Sequence, residues 1–176
     1  MSNIQLEHAQ HQAKPQRFPL VFLAHDIEVP MNIGSLFRIA DALGIEKIYL
    51  SGTSPVPPNA KIRRTSRACE KYVPFAYHAD PLEIVRQCKL DGYTILSLEI
   101  SSASIPLREL VLPPDAKLCL ILGAENHGVS QALLDASDHS VHIPMLGHNS
   151  SMNVANACAI ASYELTCRLQ PYAVQI

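Results

Sequence analysis

The sequence of 176 residues lacks any apolar run of the roughly 20 residues that a membrane-spanning helix needs. Residues 1–17 are polar and rich in Gln and His, without the apolar core segment of a secretory signal peptide. The five cysteines form no C-x-x-C pair and are odd in number, which is typical of reduced thiols rather than a disulfide framework. We therefore expect a cytoplasmic protein without a membrane partner, with a flexible arm over 1–17 and one domain over 18–176.

Motifs that would hold a metal ion or a common nucleotide are also missing. The pairs His8/His11 and His139/His142 have no companion ligands at metal-binding spacing, so we expect no metal site. The sequence contains neither G-x-G-x-x-G nor G-K-[ST], which excludes the dinucleotide fingerprint and the phosphate-binding P-loop. A G-x-S-x-G elbow is absent too, which argues against a serine hydrolase.

Charged residues are scarce, and their net balance is slightly negative. They make up 17% of the chain and the net charge is −2, whereas nucleic-acid-binding proteins are usually basic. The stretch 61–71 is different, because Glu70 is the only acidic residue within it. Its basic residues are Lys61, Arg63, Arg64, Arg67 and Lys71. A local patch of this density can contact RNA phosphates, and the alternative is a helix face that is merely solvated.

Short apolar strands alternate with helical patterns along the chain. The predicted strands cover 20–24, 47–50, 73–77, 94–99, 117–122 and 140–143. One predicted helix opens at Pro30 and is closed by Gly44, others cover 81–90, 130–136 and 153–169, and 101–114 is mostly loop. Continuous apolar strands separated by helices are typical of sheets buried on both faces. We therefore expect an α/β fold with a mostly parallel sheet and helices on both faces.

Three polar segments follow predicted strands at their carboxyl ends. They cover 26–38, 123–130 and 144–153. Because parallel strands end at one edge of a sheet, these segments should converge on one ligand site. Arg38 stands out in a largely apolar helix pattern, so it should either pair with Asp41 or face this site. Asn32 and Asn153 could each cap a helix or contribute to the site, and the residues alone do not name the ligand.

Together the three segments resemble the three motifs of the SpoU/TrmH family of SPOUT methyltransferases. The first motif is an Asn, a Gly and an Arg at the start of a helix, matched by Asn32, Gly34 and Arg38. The second, L-G-x-E-x-x-G-x-S after a strand, matches Leu122, Gly123, Glu125, Gly128 and Ser130. The third matches Ile143, Pro144, Met145, Gly147, Ser151, Asn153 and Val154. Met152 replaces the usual Leu, a volume-conserving exchange, and the resemblance covers about 18–169.

The resemblance implies a fold and ligands that composition does not show. The C-terminal part of the sheet would be tied in a deep trefoil knot, as in SPOUT-like proteins. The chain would form a homodimer, with the final helix and the first motif at the interface. S-adenosylmethionine would be the methyl donor, bound in the knot without a metal ion. The residues that would contact the donor are Leu98, Leu122, Gly123, Ile143, Met145 and Met152.

The resemblance also implies an activity, methyl transfer to a ribose 2′-hydroxyl of tRNA or rRNA. Arg38 would contact this hydroxyl or a neighbouring phosphate. Because a guanidinium group loses its proton only above about pH 12, we expect Arg38 to stabilise negative charge rather than to accept the proton. Asn32 and Ser151 would orient Arg38 and the ribose. Asn153 would hold the donor loop, and Glu125 would fix either Arg38 or that loop.

Three alternatives stay open at this point. A knotted domain could bind the donor or RNA without catalysis, although the intact motif residues argue against this. An enzyme of the same fold could methylate a base, although such relatives resemble the first motif less. An unrelated nucleotide-binding α/β protein would bind ATP or NAD instead of S-adenosylmethionine.

Overall fold

The computed structural model describes Ile4 and residues 16–173. The predicted arm over 1–17 lies outside the described residues apart from Ile4, Gln16 and Arg17, and the last two of these begin a strand. None of the described helices combines the length and the apolar character that a membrane span needs.

Within residues 16–173, eight strands form one sheet. They are β1 (Gln16–His25), β2 (Ile45–Ser51), β3 (Phe75–His78), β4 (Thr94–Leu98), β5 (Ile105–Pro106), β6 (Leu118–Leu122), β7 (His139–His142) and β8 (Tyr172–Ala173). Seven of them follow the order β3-β2-β1-β6-β4-β7-β5, and every neighbouring pair in this order is parallel. β8 pairs antiparallel with β1. The predicted mostly parallel sheet is confirmed.

Five α-helices in the described part of the chain pack against this sheet. They are α1 (Pro30–Leu43), α2 (Ala60–Ser66), α3 (Pro81–Leu90), α4 (Gln131–Ala136) and α5 (Val154–Thr166). Residues of α1, α2 and α5 share one hydrophobic cluster with the sheet, and residues of α3 and α4 share a second one. The two clusters confirm the prediction of helices on both faces.

The sequence of β1 shows how both faces are buried at once. Leu20, Phe22 and Ala24 belong to the cluster of α1 and α5, whereas Val21 and Leu23 belong to the cluster of α3 and α4. Successive side chains of a strand point to opposite faces of the sheet. A continuous apolar run is therefore what a central strand of this sheet requires.

α1 carries the first motif and begins and ends where the sequence predicts. Pro30 is its first residue, and Gly44 ends it in the left-handed conformation with a φ of 66°. Gly34 allows α2 to cross α1 closely, because a Cβ atom at this position would lie 2.7 Å from the carbonyl oxygen of Ile62. α2 is therefore held directly against the first motif.

Some elements differ from the sequence-based prediction. β5 and β8 have two residues each, too few to show an alternation of polar and apolar side chains. The basic stretch 61–71 is not a single helix, because α2 ends at Ser66. Arg67 and Ala68 then adopt the left-handed conformation before a 3-10 turn at Cys69–Lys71.

The strand order bears on the predicted knot. β4 lies between β6 and β7 although it precedes both in the chain. This order agrees with a SPOUT-like architecture, and the trefoil knot itself remains a prediction.

Candidate functional site

The carboxyl ends of β1, β4, β6 and β7 lie along one edge of the sheet, because these strands are parallel neighbours. The loops after β4, β6 and β7 enclose a cavity of about 870 Å³, here called the main cavity. Its lining includes the six residues expected to contact the donor: Leu98, Leu122, Gly123, Ile143, Met145 and Met152. Glu125, Ser151 and Asn153 line it as well. The second and third polar segments therefore converge, as the strand directions predict.

One wall of the main cavity is a tight hairpin over 123–129, here called the glycine hairpin. Ala124 and Gly128 exchange two backbone hydrogen bonds, with N···O distances of 3.0 and 2.9 Å. A Cβ atom on Gly123 would lie 2.1 Å from the carbonyl carbon of Gly128, and Gly128 itself has a φ of 66°. The backbone thus requires both glycines of the second motif, one for close approach and one for its conformation.

Three polar side chains, here called the motif network, connect the three motifs. The Nδ2 atom of Asn32 donates a hydrogen bond to Oε1 of Glu125 over 2.7 Å. The Nδ2 atom of Asn153 donates to Oδ1 of Asn32 over 3.1 Å. Asn32 is only 9% exposed, so its polar atoms need protein partners. The network thus brings together one predicted site residue from each motif.

Glu125 also binds the segment that leads into α1. Its Oε2 atom accepts a hydrogen bond from the amide of Glu28 over 3.2 Å, and its Oε1 atom accepts one from Val29 over 3.4 Å. The sequence left open whether Glu125 holds Arg38 or the loop. In the structure its partners are Asn32 and these two amides, so Glu125 holds the glycine hairpin against the start of α1.

The two asparagines of the motif network differ in their relation to helix ends. Asn153 caps α5, since its Oδ1 atom accepts hydrogen bonds from the amides of Ala155 (2.9 Å) and Asn156 (3.3 Å). Asn32 is the third residue of α1, and the N-cap position of that helix is Val29. Asn153 therefore combines capping with a place in the network, whereas the capping alternative for Asn32 is wrong.

Arg38 lies on the exposed side of α1 and does not line the main cavity. It lines a smaller cavity of about 400 Å³, here called the arginine cavity. Asn153 lines both cavities, so the two adjoin at this residue. Within residues 16–173, Arg38 forms no ion pair with Asp41. The guanidinium group therefore remains available to an anion.

Asp41, the alternative partner of Arg38, accepts a hydrogen bond from a thiol. The Sγ atom of Cys69 donates a hydrogen bond to Oδ2 of Asp41 over 3.3 Å. Burial and, second to it, the hydrogen bond to Asp41 together raise the pKa of the Cys69 thiol to about 11. The thiol consequently stays protonated at neutral pH, and a neutral donor occupies the carboxylate.

Arg38 and Ser151 do not join the motif network. Across the described residues, no hydrogen bond links either side chain to Asn32 or Glu125. Ser151 is exposed and lines the main cavity, whereas Arg38 lines the arginine cavity. The two residues are thus placed on different cavities that meet at Asn153.

The predicted RNA contacts form an exposed surface beside Arg38, here called the basic patch. It consists of Lys61, Arg63, Arg64, Arg67 and Lys71, all of them exposed. The carboxylate of Glu70 accepts a hydrogen bond from the hydroxyl of Ser66. Thr65 of α2 lines the arginine cavity together with Arg38. The basic patch is therefore exposed to solvent. Because Thr65 belongs to the same helix as three of its residues, the patch also adjoins the arginine cavity.

Two ionisable residues that line the main cavity lie outside the three polar segments and were not predicted as site residues. Glu99 follows β4, and its Oε2 atom accepts a hydrogen bond from the amide of Val129 over 2.9 Å. His142 ends β7, and its Nδ1 atom lies 2.9 Å from the hydroxyl of Ser104. Both residues stand at the carboxyl end of a strand, so the rule that identified the polar segments would also have indicated them.

In the described part of the chain, no three His, Cys, Asp or Glu side chains come together in an arrangement that could hold a metal ion. His8 and His11 lie outside the described residues.

Residues 19–163 match the SpoU rRNA Methylase family. A Staphylococcus epidermidis protein assigned to the TrmH family of tRNA/rRNA methyltransferases is 28% identical over 159 residues. That match covers 90% of this chain and 63% of the relative, so the chain spans about three-fifths of the relative's length.

Solved structures show the same fold. The TrmH/SpoU tRNA modifying enzyme of A. aeolicus is 25% identical, with a TM-score of 0.77, over 88% of this chain and 77% of that one. The SpoU methyltransferase AviRb of Streptomyces viridochromogenes, solved in complex with AdoMet, is 26% identical with a TM-score of 0.77. That likeness covers 86% of this chain and 61% of AviRb.

Proposed function

The chain belongs to the SpoU rRNA Methylase family, and on that premise we propose that it is an S-adenosylmethionine-dependent RNA methyltransferase acting on a ribose 2′-hydroxyl of tRNA or rRNA. The observation that carries the proposal is the motif network of Asn32, Glu125 and Asn153. It connects a large cavity lined by backbone-rich loops to a smaller one that contains Arg38. Two substrates that react with each other need adjoining sites of this kind.

The main cavity fits S-adenosylmethionine in size and in character. Its volume of about 870 Å³ lies within the usual range for small-molecule sites. Gly123 and Gly128 line the cavity without side chains of their own, so backbone groups can approach a ligand closely at these two positions. Leu98, Leu122 and Ile143 provide apolar surface at the three strand ends. When bound, S-adenosylmethionine would supply an electrophilic methyl group on a positively charged sulfur atom.

Arg38 provides the positive charge at the adjoining cavity. A ribose hydroxyl is a weak nucleophile until its proton is removed, and the oxygen gains negative charge as this happens. A guanidinium group cannot accept the proton at neutral pH, but it can stabilise the charge or bind a neighbouring phosphate. We assign this electrostatic role to Arg38 and assign the proton to an RNA phosphate oxygen. Ser151, from the rim of the main cavity, would orient the ribose.

RNA binding is assigned to the basic patch. Its five cations are exposed and begin beside the arginine cavity, so a strand whose ribose lies at Arg38 could continue across α2. Neutralised phosphates release counterions, which lets a local patch bind RNA although the chain has a net charge of −2.

We also propose that two copies of the chain associate through α1 and α5. These helices pack against each other and carry exposed apolar side chains at Met31, Ile160 and Tyr163. The arginine cavity lies between the same two helices, since Ile39 and Ala159 both line it. A second copy on this surface would cover apolar area and border the RNA site.

The test is methyl transfer from labelled S-adenosylmethionine to tRNA and, separately, to rRNA purified from cells that lack the protein. Nucleosides would be identified by mass spectrometry, and alkaline hydrolysis would show whether cleavage is blocked. A 2′-O-methylated nucleoside in one RNA pool supports the proposal and names the substrate class. A methylated base would contradict the ribose assignment, and donor binding without transfer to either pool would contradict the enzymatic one.

A further inference from the structure

Glu99 is a carboxylate in the main cavity that belongs to none of the three motifs. Its Oε2 atom accepts a hydrogen bond from the amide of Val129 over 2.9 Å, and Oε1 accepts one from Ile100 over 3.0 Å. It also packs against Gly128, where a Cβ atom would lie 2.1 Å from Oε2. Glu99 therefore holds the glycine hairpin from the β4 side, while Glu125 holds it from the α1 side.

The ionisable residues that line the main cavity give it a negative character. They are Glu99, Glu125, His127 and His142, and the lining contains neither Lys nor Arg. Neither glutamate forms an ion pair within residues 16–173. Arg38, the cation of the site, lines the arginine cavity instead. Carboxylates that are held by amides rather than by cations keep their attraction for a positive ligand.

Glu99 is better placed than Glu125 to exert this attraction. Glu99 is half-buried, whereas Glu125 is exposed, and burial reduces screening by water and salt. Glu125 also receives hydrogen bonds from Asn32 and two amides, whereas Glu99 receives two, both from backbone amides. Of the two carboxylates, Glu99 should therefore contribute more to the field within the cavity.

The ligand assigned to this cavity changes its charge during the reaction. S-adenosylmethionine carries a sulfonium, a protonated amine and a carboxylate, and so has one net positive charge. S-adenosylhomocysteine has a neutral thioether in place of the sulfonium and therefore no net charge. A carboxylate in the cavity attracts the first ligand more strongly than the second.

We infer that Glu99 is a specificity-determining residue through which the main cavity binds the sulfonium donor in preference to its thioether product. The inference rests on the proposed function of this cavity. The attraction is lost when the sulfur becomes neutral, so Glu99 favours the exchange of product for fresh donor. Backbone groups of the hairpin would serve both ligands equally, because they carry no net charge that distinguishes a sulfonium from a thioether.

The experiment is calorimetric titration of the full chain with three ligands at low salt. They are S-adenosylmethionine, S-adenosylhomocysteine and sinefungin, an unreactive analogue with a protonated amine near the sulfonium position. Glu99→Gln removes the charge but keeps an oxygen that can accept from Val129. We expect about five- to tenfold weaker binding of the two cationic ligands and a change below about twofold for S-adenosylhomocysteine.

Glu83→Gln is the matched control, because Glu83 is exposed on α3 and does not line the main cavity. It should alter none of the three affinities. A second measurement needs no variant: in the wild-type chain, added salt should weaken the cationic ligands more than S-adenosylhomocysteine.

The outcomes separate this inference from the proposed function. Equal weakening of all three ligands by Glu99→Gln would mean that Glu99 only positions the hairpin, and would overturn the inference while the proposed function stands. Wild-type chain that binds none of the three would overturn both. If Glu99→Gln does not fold, equal salt dependence of donor and product in the wild type would overturn the inference.

Discussion

Asn32 and Glu125 are 93 residues apart in the sequence and are joined by a hydrogen bond of 2.7 Å. The bond connects the helix that carries Arg38 to the hairpin that walls the main cavity. Asn153 extends the connection to α5 through its bond to Asn32. Any change at Asn32 should therefore affect the relative position of both cavities.

Asn32→Asp should make folding stability depend on pH at this site. It replaces the donor atom with a second carboxyl group facing Glu125, and two carboxylates at this distance repel each other. The pKa of the new carboxyl should rise above its unfolded value of about 3.9. Its stabilising contribution is then present below that value and is lost as the pH rises through the folded pKa.

The measurement is urea unfolding of the wild-type protein and of the Asn32→Asp variant between pH 4 and pH 8. We expect Asn32→Asp to be about 1–3 kcal/mol less stable than wild type at neutral pH, with a smaller deficit in acid. Asn32→Ala is the control, since it removes the bond without adding a titratable group and its deficit should not vary in this way. A constant deficit for Asn32→Asp would contradict the network as described.

Gly128→Ala should weaken donor binding as well as stability. The positive φ of 66° should cost about 1–2 kcal/mol for a residue with a Cβ atom. The new atom would also displace Glu99 from the amide of Val129 and so loosen the glycine hairpin. Gly92→Ala is the control, because Gly92 has a φ of 82° with no atom within 4 Å of the added Cβ.

Thermal unfolding should show a loss for both glycine variants, whereas titration with S-adenosylmethionine should show a loss for Gly128→Ala alone. Equal donor affinity in the two variants would mean that the hairpin tolerates the displacement of Glu99.

The parts of the fold that could be predicted are the strands and helices whose own residues determine their structure. β1 and β6 were recognisable because a strand buried on both faces must be apolar at every position. α3 occupies the predicted range Pro81–Leu90, since Pro81 suits the first turn of a helix. β8 could not be predicted, because its two residues are ordered by pairing with β1 and not by a pattern of their own.

In the candidate site, too, some features could be predicted from the sequence and others could not. Its cavity could be predicted, because strand direction alone brings the polar segments to one edge. The partner of Glu125 could not, since both alternatives satisfied the sequence and only the packing of α1 on the hairpin distinguishes them. The hydrogen bond of Asp41 comes from Cys69, which lies 28 residues further along the chain. No local pattern indicates a thiol at that carboxylate.

Loss of a cation from the basic patch should weaken RNA binding and reduce its dependence on salt. Arg63→Ala and Arg64→Ala each remove one exposed cation from α2. For each variant, the slope of log affinity against log salt should fall by about one unit. Arg86→Ala is the control, because Arg86 lies on α3 and pairs with Asp80 over 3.4 Å. Unchanged slopes for both α2 variants, in RNA binding measured by fluorescence anisotropy, would remove the patch from the RNA site.

Ile160→Glu should separate the two copies of the proposed dimer. Ile160 is 48% exposed and Tyr163, one turn further along α5, is 64% exposed. A charge placed on this apolar surface would have to be desolvated in the interface. Sedimentation velocity should show a dimer for wild type and a monomer for Ile160→Glu. Leu90→Glu, at an 81% exposed residue of α3 on the other face of the sheet, should remain dimeric. A monomeric wild-type chain would contradict the proposed dimer.

Arg38→Ala should abolish methyl transfer while leaving donor binding nearly intact, because Arg38 lines the arginine cavity and not the main one. Loss of a group that stabilises developing charge lowers turnover by about 100-fold or more. Arg38→Lys keeps the charge but not the planar fork, so it should restore part of the turnover if charge matters.

Single-turnover transfer and calorimetric titration with S-adenosylmethionine distinguish the possible roles of Arg38. Equal loss of transfer and donor affinity would place Arg38 in the donor site and contradict the division into two cavities. A loss of transfer that saturating RNA restores would assign Arg38 to phosphate binding. A loss that persists at saturating RNA, with donor affinity unchanged, is the result expected of a cation that acts on the ribose oxygen itself.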